Sequence, residues 1–144
     1  AHIGRNTFFQ AIEEHDRSLP LIVTHTGVDA VHPHWRNLTD AQIRAIAESG
    51  GTIGIMLQSG FLGRGDVDVR TFVDHVEHVI RLVGDDHVSL GSDFDGMISP
   101  PRDLPTPFSY PRVVAELLRR GHGESTVKKF LSGNALRTIE AMRG

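Results

Sequence analysis

Two residues of this chain sit where a side chain can do chemistry. His25 closes the run Leu21-Ile22-Val23-Thr24-His25, which is short, apolar and β-branched, as a strand buried on both faces of a parallel sheet would be. Asp93 closes a second such run, Val88-Ser89-Leu90-Gly91-Ser92-Asp93. An ionisable group at the tip of a buried strand loses hydration unless a metal, a partner or a substrate compensates, so these two are stronger candidates than a surface His or Asp. The same positions also suit a residue that only caps a turn or the next helix. His2 lies one helix-plus-strand length ahead of His25 and can therefore end a preceding strand. Two imidazoles from neighbouring strand ends can share one zinc, leaving positions for a carboxylate and a water. The chain has no cysteine, so imidazole and carboxylate must hold any transition metal.

The elements that would position these residues alternate. Residues 6–15 read as an amphipathic helix through Phe8, Phe9 and Ile12, with Asn6 as N-cap and Pro20 marking its end. After the strand at 21–25 and a loop over 26–38, Thr39 and Gln42 form a capping box, and Ile43, Ile46 and Ala47 supply an apolar stripe up to Gly50-Gly51. A buried strand is expected over 52–57, a Gly-rich loop over 59–66, and a helix over 70–83 stopped by Gly84. The strand ending at Asp93 leads into a loop rich in proline, expected to be extended and irregular. A helix over 111–120 follows, then a last helical region over 125–142 interrupted near Gly133. Strands alternating with helices argue for parallel βαβ units. Three strands cannot close a (β/α)8 barrel, which usually takes about 250 residues, so a barrel needs further strands outside these residues.

Composition narrows the function. With 15 Lys and Arg against 18 Asp and Glu spread along 144 residues, no basic face for nucleic acid and no polybasic membrane patch emerges. No apolar run is long enough to span a bilayer, and residues 1–5 have no signal-peptide character. Localisation stays open between cytoplasmic and exported.

Several segments resemble the renal (membrane) dipeptidase family of zinc peptidases in order, spacing and identity: Ala1-His2, Thr24-His25-Thr26, Arg36-Asn37-Leu38, Asp74-His75-Val76-Glu77-His78-Val79 (the family's DHxxH helix), Gly91-Ser92-Asp93-Phe94-Asp95-Gly96 (its GxDFDG strand end), Tyr110-Pro111 to Leu118, and Gly133-Asn134-Ala135-Leu136-Arg137. The resemblance implies an α/β fold, the C-terminal part of a (β/α)8 TIM barrel. Residues 1–144 would be the C-terminal portion of a single barrel domain whose N-terminal half lies outside the chain. It implies hydrolysis of dipeptides by metal-activated water at a centre of two zinc ions. His2 and His25 would be ligands of one zinc, at the ends of the fifth and sixth strands. Arg36 would grip the free carboxylate of the substrate, for which a guanidinium fork is suited. Asp93, at the end of the eighth strand, would contact the substrate amine or carry a proton to the leaving nitrogen. The family's His-x-Asp and bridging Glu are absent from these residues, so the chain by itself is expected to be inactive and its zinc centre incomplete. A homodimer of the full-length form is also implied.

The remaining histidines are expected to serve structure. His32 and His34 form a His-x-His pair in the loop before Arg36, expected to line the pocket or face solvent. His75 and His78 share one helix face as packing residues, and His15, His87 and His122 lie near element ends. Asp95 is expected to be structural. Two other readings fit the same residues: a different amidohydrolase-type metal-dependent hydrolase, and a truncated non-catalytic interaction module whose open strand edges would pair with another chain.

Overall fold

The computed structural model describes residues 1–143, apart from the side chains of residues 5 and 6. Helices α1 (Arg5–Glu14), α2 (Asp40–Glu48), α3 (Ser59–Leu62), α4 (Val69–Val83), α5 (Tyr110–Arg119), α6 (Glu124–Lys128) and α7 (Asn134–Arg143) are interleaved with strands β1 (Ile22–Thr26), β2 (Thr52–Met56) and β3 (Val88–Ser92). The strands form one parallel sheet in the order β1-β2-β3, as the alternation of elements predicts.

Central position explains burial. β2, paired on both sides, is buried at every residue, and Ile53 and Ile55 meet no solvent. β1 forms an edge of the described sheet, and contrary to the expectation of burial on both faces its Thr24 is exposed. Register aligns Ile22 with Thr52 and Ile53 with Val88, then shifts between Val23 and Thr26 and again between Ile55 and Met56. Both irregularities fall toward the C-terminal ends of the strands, where bulges re-aim side chains beside active sites.

The helices cover the sheet through apolar stripes at helical spacing: Ile43 and Ile46 from α2, Phe72, Val73, Val76 and Val79 from α4, and Val113 and Leu117 from α5. The capping box of α2 is formed, with Thr39 N–H donating to Gln42 Oε1 at 3.0 Å and Thr39 Oγ1 accepting from Gln42 N–H at 3.4 Å. Asp68 caps α4 by accepting from Arg70 and Thr71 N–H, and Gly84, at φ 93°, ends it as expected. Two expectations are corrected. α1 opens at Arg5 with Gly4 in the cap position, so Asn6 lies inside the first turn, and its side chain is outside the described residues. The Gly-rich segment 59–66 is not all loop, because Ser59–Leu62 forms the short helix α3 and buries Leu62.

The interruption near Gly133 is a π-helical turn, Lys129–Gly133, that turns Phe130 into the core against Phe72. Asn134 Nδ2 then donates to Asp85 O and Val88 O, and Arg137 donates to Gly50 O and Asp86 O. The Gly133-Asn134-Ala135-Leu136-Arg137 segment thus ties the last helix to the start of β3, at the end of the sheet remote from His25 and Asp93. No helix among the described residues is long and apolar enough to cross a membrane.

Candidate active site

The C-terminal ends of β1 and β3 bring His25 and Asp93 together. His25 Nε2 lies 4.0 Å from Asp93 Oδ2 and 3.0 Å from His2 Nε2, which reaches in from ahead of α1. Two neutral imidazoles cannot rest with both lone pairs facing at that distance, so a proton or a cation must lie between them. Two nitrogens on one tetrahedral zinc would stand about 3.3 Å apart for bonds of about 2.0–2.1 Å, so the observed 3.0 Å is that of a hydrogen bond between the rings and close to the spacing a shared metal would need. Among the described residues no group of three or more His, Cys, Asp or Glu side chains is arranged to hold a metal ion.

The residue before His25 engages its other ring nitrogen. Thr24 Oγ1 lies 2.9 Å from His25 Nδ1. With Nδ1 protonated and donating to that hydroxyl, Nε2 keeps its lone pair toward His2, the outer-shell arrangement that orients a ligand imidazole. Burial pushes the His25 imidazole below its ordinary value, Asp93 opposes the shift, and His2 reinforces it. A neutral imidazole is the form that binds metal.

Asp93 is held in an unusual backbone. It has φ 74°, and Ser92 before it has φ 32°, a left-handed corner that Asp tolerates better than most residues. The carboxylate folds against Gly96, where any Cβ would collide with it. A side chain at Gly96 would therefore make the Asp93 carboxylate shift. Asp95 is exposed.

Arg36 reaches the same cleft. A space of about 230 Å³ is lined by His2, Arg36, Asp93, Met56, Gln58 and Phe61, among others. The guanidinium carbon lies 5.5 Å from the Phe61 ring centre and 5.7 Å from that of Trp35, and Arg36 Nε is buried without a hydrogen-bond partner. No carboxylate among the described residues pairs with it, so a permanent cation faces the cleft with donors to spare for an anionic group. Trp35 is 75% exposed. His34 stacks on Phe61 at 4.2 Å and its Nδ1 accepts from Arg36 N–H, so it supports the loop that carries Arg36.

The candidates His2, His25, Asp93 and Arg36 thus converge, and the other histidines do not join them. His75 is fully buried in α4, His78 binds Asp40 at 2.8 Å, His122 binds Glu77 at 3.0 Å, and His87 and His15 each bind a backbone carbonyl. Thr24, Phe61 and Gln58 are additions that the sequence did not single out. Thr24 was legible as the neighbour of His25, whereas Phe61 and Gln58 enter only because the turn after β2 folds back toward the cleft.

The family described as membrane dipeptidase (peptidase family M19) has a model that matches residues 1–143. A protein of Klebsiella pneumoniae known as an uncharacterized protein in the pqqA 5′ region is 38% identical over 145 residues, covering 97% of this chain and 52% of its own length. The dipeptidase ataJ of Aspergillus terreus is 34% identical over 125 residues, covering 84% of this chain and 30% of its own. A solved metallo peptidase from Rhodobacter sphaeroides, liganded with a phosphinate mimic of the dipeptide L-Ala-D-Ala, superposes with a TM-score of 0.90 at 31% identity, covering 97% of this chain and 40% of that one. This chain therefore spans about half, or less, of the length of the relatives it matches.

Proposed function

This chain belongs to the membrane dipeptidase family, peptidase family M19, and from that premise we propose that it supplies the C-terminal part of a zinc-dependent dipeptidase active site. The observation that carries the reading is the approach of His2 and His25 at 3.0 Å on the cleft that also holds Asp93 and Arg36. The three parallel strands, with open edges on β1 and β3, are read as the C-terminal part of a (β/α)8 barrel completed by the rest of the polypeptide.

His2 and His25 would hold one zinc through Nε2, with the remaining donors of a two-metal centre coming from outside these residues. The chemistry such a metal would supply is Lewis-acid polarisation of the scissile carbonyl and a lowered pKa for a water. Arg36 binds the C-terminal carboxylate of the dipeptide, and the Phe61 ring beside the guanidinium limits how far it can swing. Asp93 stands beside the pair of imidazoles and carries a proton to the nitrogen that leaves as the C–N bond breaks, while hydroxide from water joins the carbonyl carbon. Without the remaining donors, this segment by itself is expected to be inactive.

The test is made on the full-length protein: zinc content, and hydrolysis of a simple dipeptide compared with its C-terminal amide. Zinc binding with dipeptide hydrolysis is the expected result. Arg36→Ala is expected to reduce kcat/KM for the dipeptide about 100-fold, the loss of a charge-assisted hydrogen-bonded pair of about 3 kcal/mol, and to change the amide far less. Hydrolysis without a preference for the free carboxylate would favour another amidohydrolase-type reaction. A full-length protein that binds no metal and is inert would favour a non-catalytic module.

A further inference from the structure

The DHxxH segment of α4 takes no part in the chemistry above, yet its first histidine commits both ring nitrogens to backbone groups. His75 has no exposed surface. Its Nδ1 accepts from Val28 N–H at 2.9 Å, which fixes the proton on Nε2, and Nε2–H donates to Leu62 O at 2.9 Å. One imidazole therefore joins the start of the loop that carries Arg36 to the end of α3. Asn37, next to Arg36, makes the parallel connection. Its Nδ2 donates to His32 O at 2.8 Å, within the loop, and to Phe61 O at 2.7 Å, on α3. Two consecutive carbonyls, those of Phe61 and Leu62, are thus captured by side chains from two different elements.

Between these connections lies the Arg36 environment. The Phe61 ring stands 5.5 Å from the guanidinium carbon and stacks on His34. The loop is closed at its base, where Leu38 N–H donates to Gly27 O and Asp29 N–H to Leu38 O, and Thr26 Oγ1 donates to Arg36 O. Gly27 leaves room for the clasp, because a Cβ there would run into the Asn37 side chain.

We propose that His75 and Asn37 are positioning residues for substrate recognition, which by gripping Leu62 O and Phe61 O hold the Phe61 ring against Arg36 and so aim its guanidinium at the substrate carboxylate. The inference rests on the reading that Arg36 binds that carboxylate. A side chain that merely stabilised the fold would affect all substrates alike. A positioning residue affects the preference for the free carboxylate, because a guanidinium misplaced by a fraction of an ångström loses its bidentate fit.

The experiment uses the full-length, zinc-loaded protein and measures the ratio of kcat/KM for a dipeptide to that for its C-terminal amide in wild type, His75→Gln, Asn37→Ala, Arg36→Ala and the double variant Asn37→Ala/Arg36→Ala. Gln keeps a donor for Leu62 O, so His75→Gln is the gentler of the two clasp variants. Asn37→Ala is expected to lower the ratio about tenfold through a higher KM for the dipeptide, with kcat held within about twofold, and His75→Gln to lower it less. In the Arg36→Ala background the Asn37 substitution is expected to lower the ratio no further, since both changes act on one interaction. Folded variants with a lower melting temperature and an unchanged ratio overturn the proposal, as does a full additional loss in the double variant. If His75→Gln does not fold, the Asn37→Ala arm decides alone. If Arg36→Ala itself leaves the ratio unchanged, the reading of Arg36 fails, and that failure is distinguishable because it appears before either clasp residue is touched.

Discussion

At the strand ends, His2 and His25 face each other at 3.0 Å, and no third side chain among the described residues completes a metal site with them. On α4 and in the turn after α5 the same residue type is treated in the opposite way. His75 commits both nitrogens to backbone groups, His78 binds Asp40 and His122 binds Glu77. Their surroundings differ in the same sense. Arg120, between α4 and α5, is surrounded by Asp74, Glu77 and Glu116 at 2.7 Å, whereas Arg36 at the cleft has no carboxylate partner among the described residues. A polar group satisfied by its own chain holds structure; one aimed into a cleft with its capacity open is placed for a ligand. Backbone geometry follows the division, since the positive-φ residues other than glycine are Ser92, Asp93 and Met97, all on the corner that carries Asp93.

Substitutions can sharpen or break this contrast, and the largest effect is expected at the pair of imidazoles. His25→Ala in the full-length protein should reduce kcat/KM by more than about 100-fold, beyond what loss of an outer-shell partner does, and lower zinc content, with little change in the unfolding free energy of the metal-free protein. Metal analysis beside denaturant unfolding checks this, and a stability loss without a change in zinc would dissolve the contrast. Asp93→Asn is expected to lower kcat about 100-fold while zinc content is retained, the signature of a lost proton carrier, read from steady-state kinetics.

His75 on α4 predicts the reverse pattern. Burial holds the His75 imidazole down at about 4, against an ordinary value of 6.5. The unfolded chain then takes up a proton more readily than the folded one as pH falls below that ordinary value. The stabilisation from the neutral buried ring is therefore fully present above about pH 6.5 and is lost as pH falls toward about 4, amounting to about 3 kcal/mol. Urea unfolding of the metal-free protein across that window should show the slope in wild type and a reduced slope in His75→Gln. Removing the central cation by Arg120→Met should cost about 2 kcal/mol, since three carboxylates lose their shared partner at a site still partly open to water, while kcat/KM stays at the wild-type value. A matching loss of activity would mean that the α4–α5 contact is coupled to the cleft.

Much of this was legible in the sequence because it depends on neighbours. The Thr39–Gln42 box, the stop at Gly84 and the break near Gly133 are local, and each is found within a residue of its expected place. α3 was missed because a four-residue helix opening Ser-Gly has too little periodicity to stand out. Its existence depends on contacts with α4 and on the capture of its last two carbonyls by Asn37 and His75.

The sequence by itself determined the alternation of strands and helices, the placement of His25 and Asp93 at strand ends, and the motif order that points to the family. These follow from apolar periodicity, turn residues and spacing, which are properties of short stretches of chain. Only the tertiary structure decided that His2 meets His25, that Phe61 lies beside Arg36, and that His75 is a neutral bridge between the Arg36 loop and α3. His75 takes one partner 47 residues away and the other 13. Whether such a group is satisfied or open is fixed by which distant elements pack against it, and no periodicity in its own segment records that.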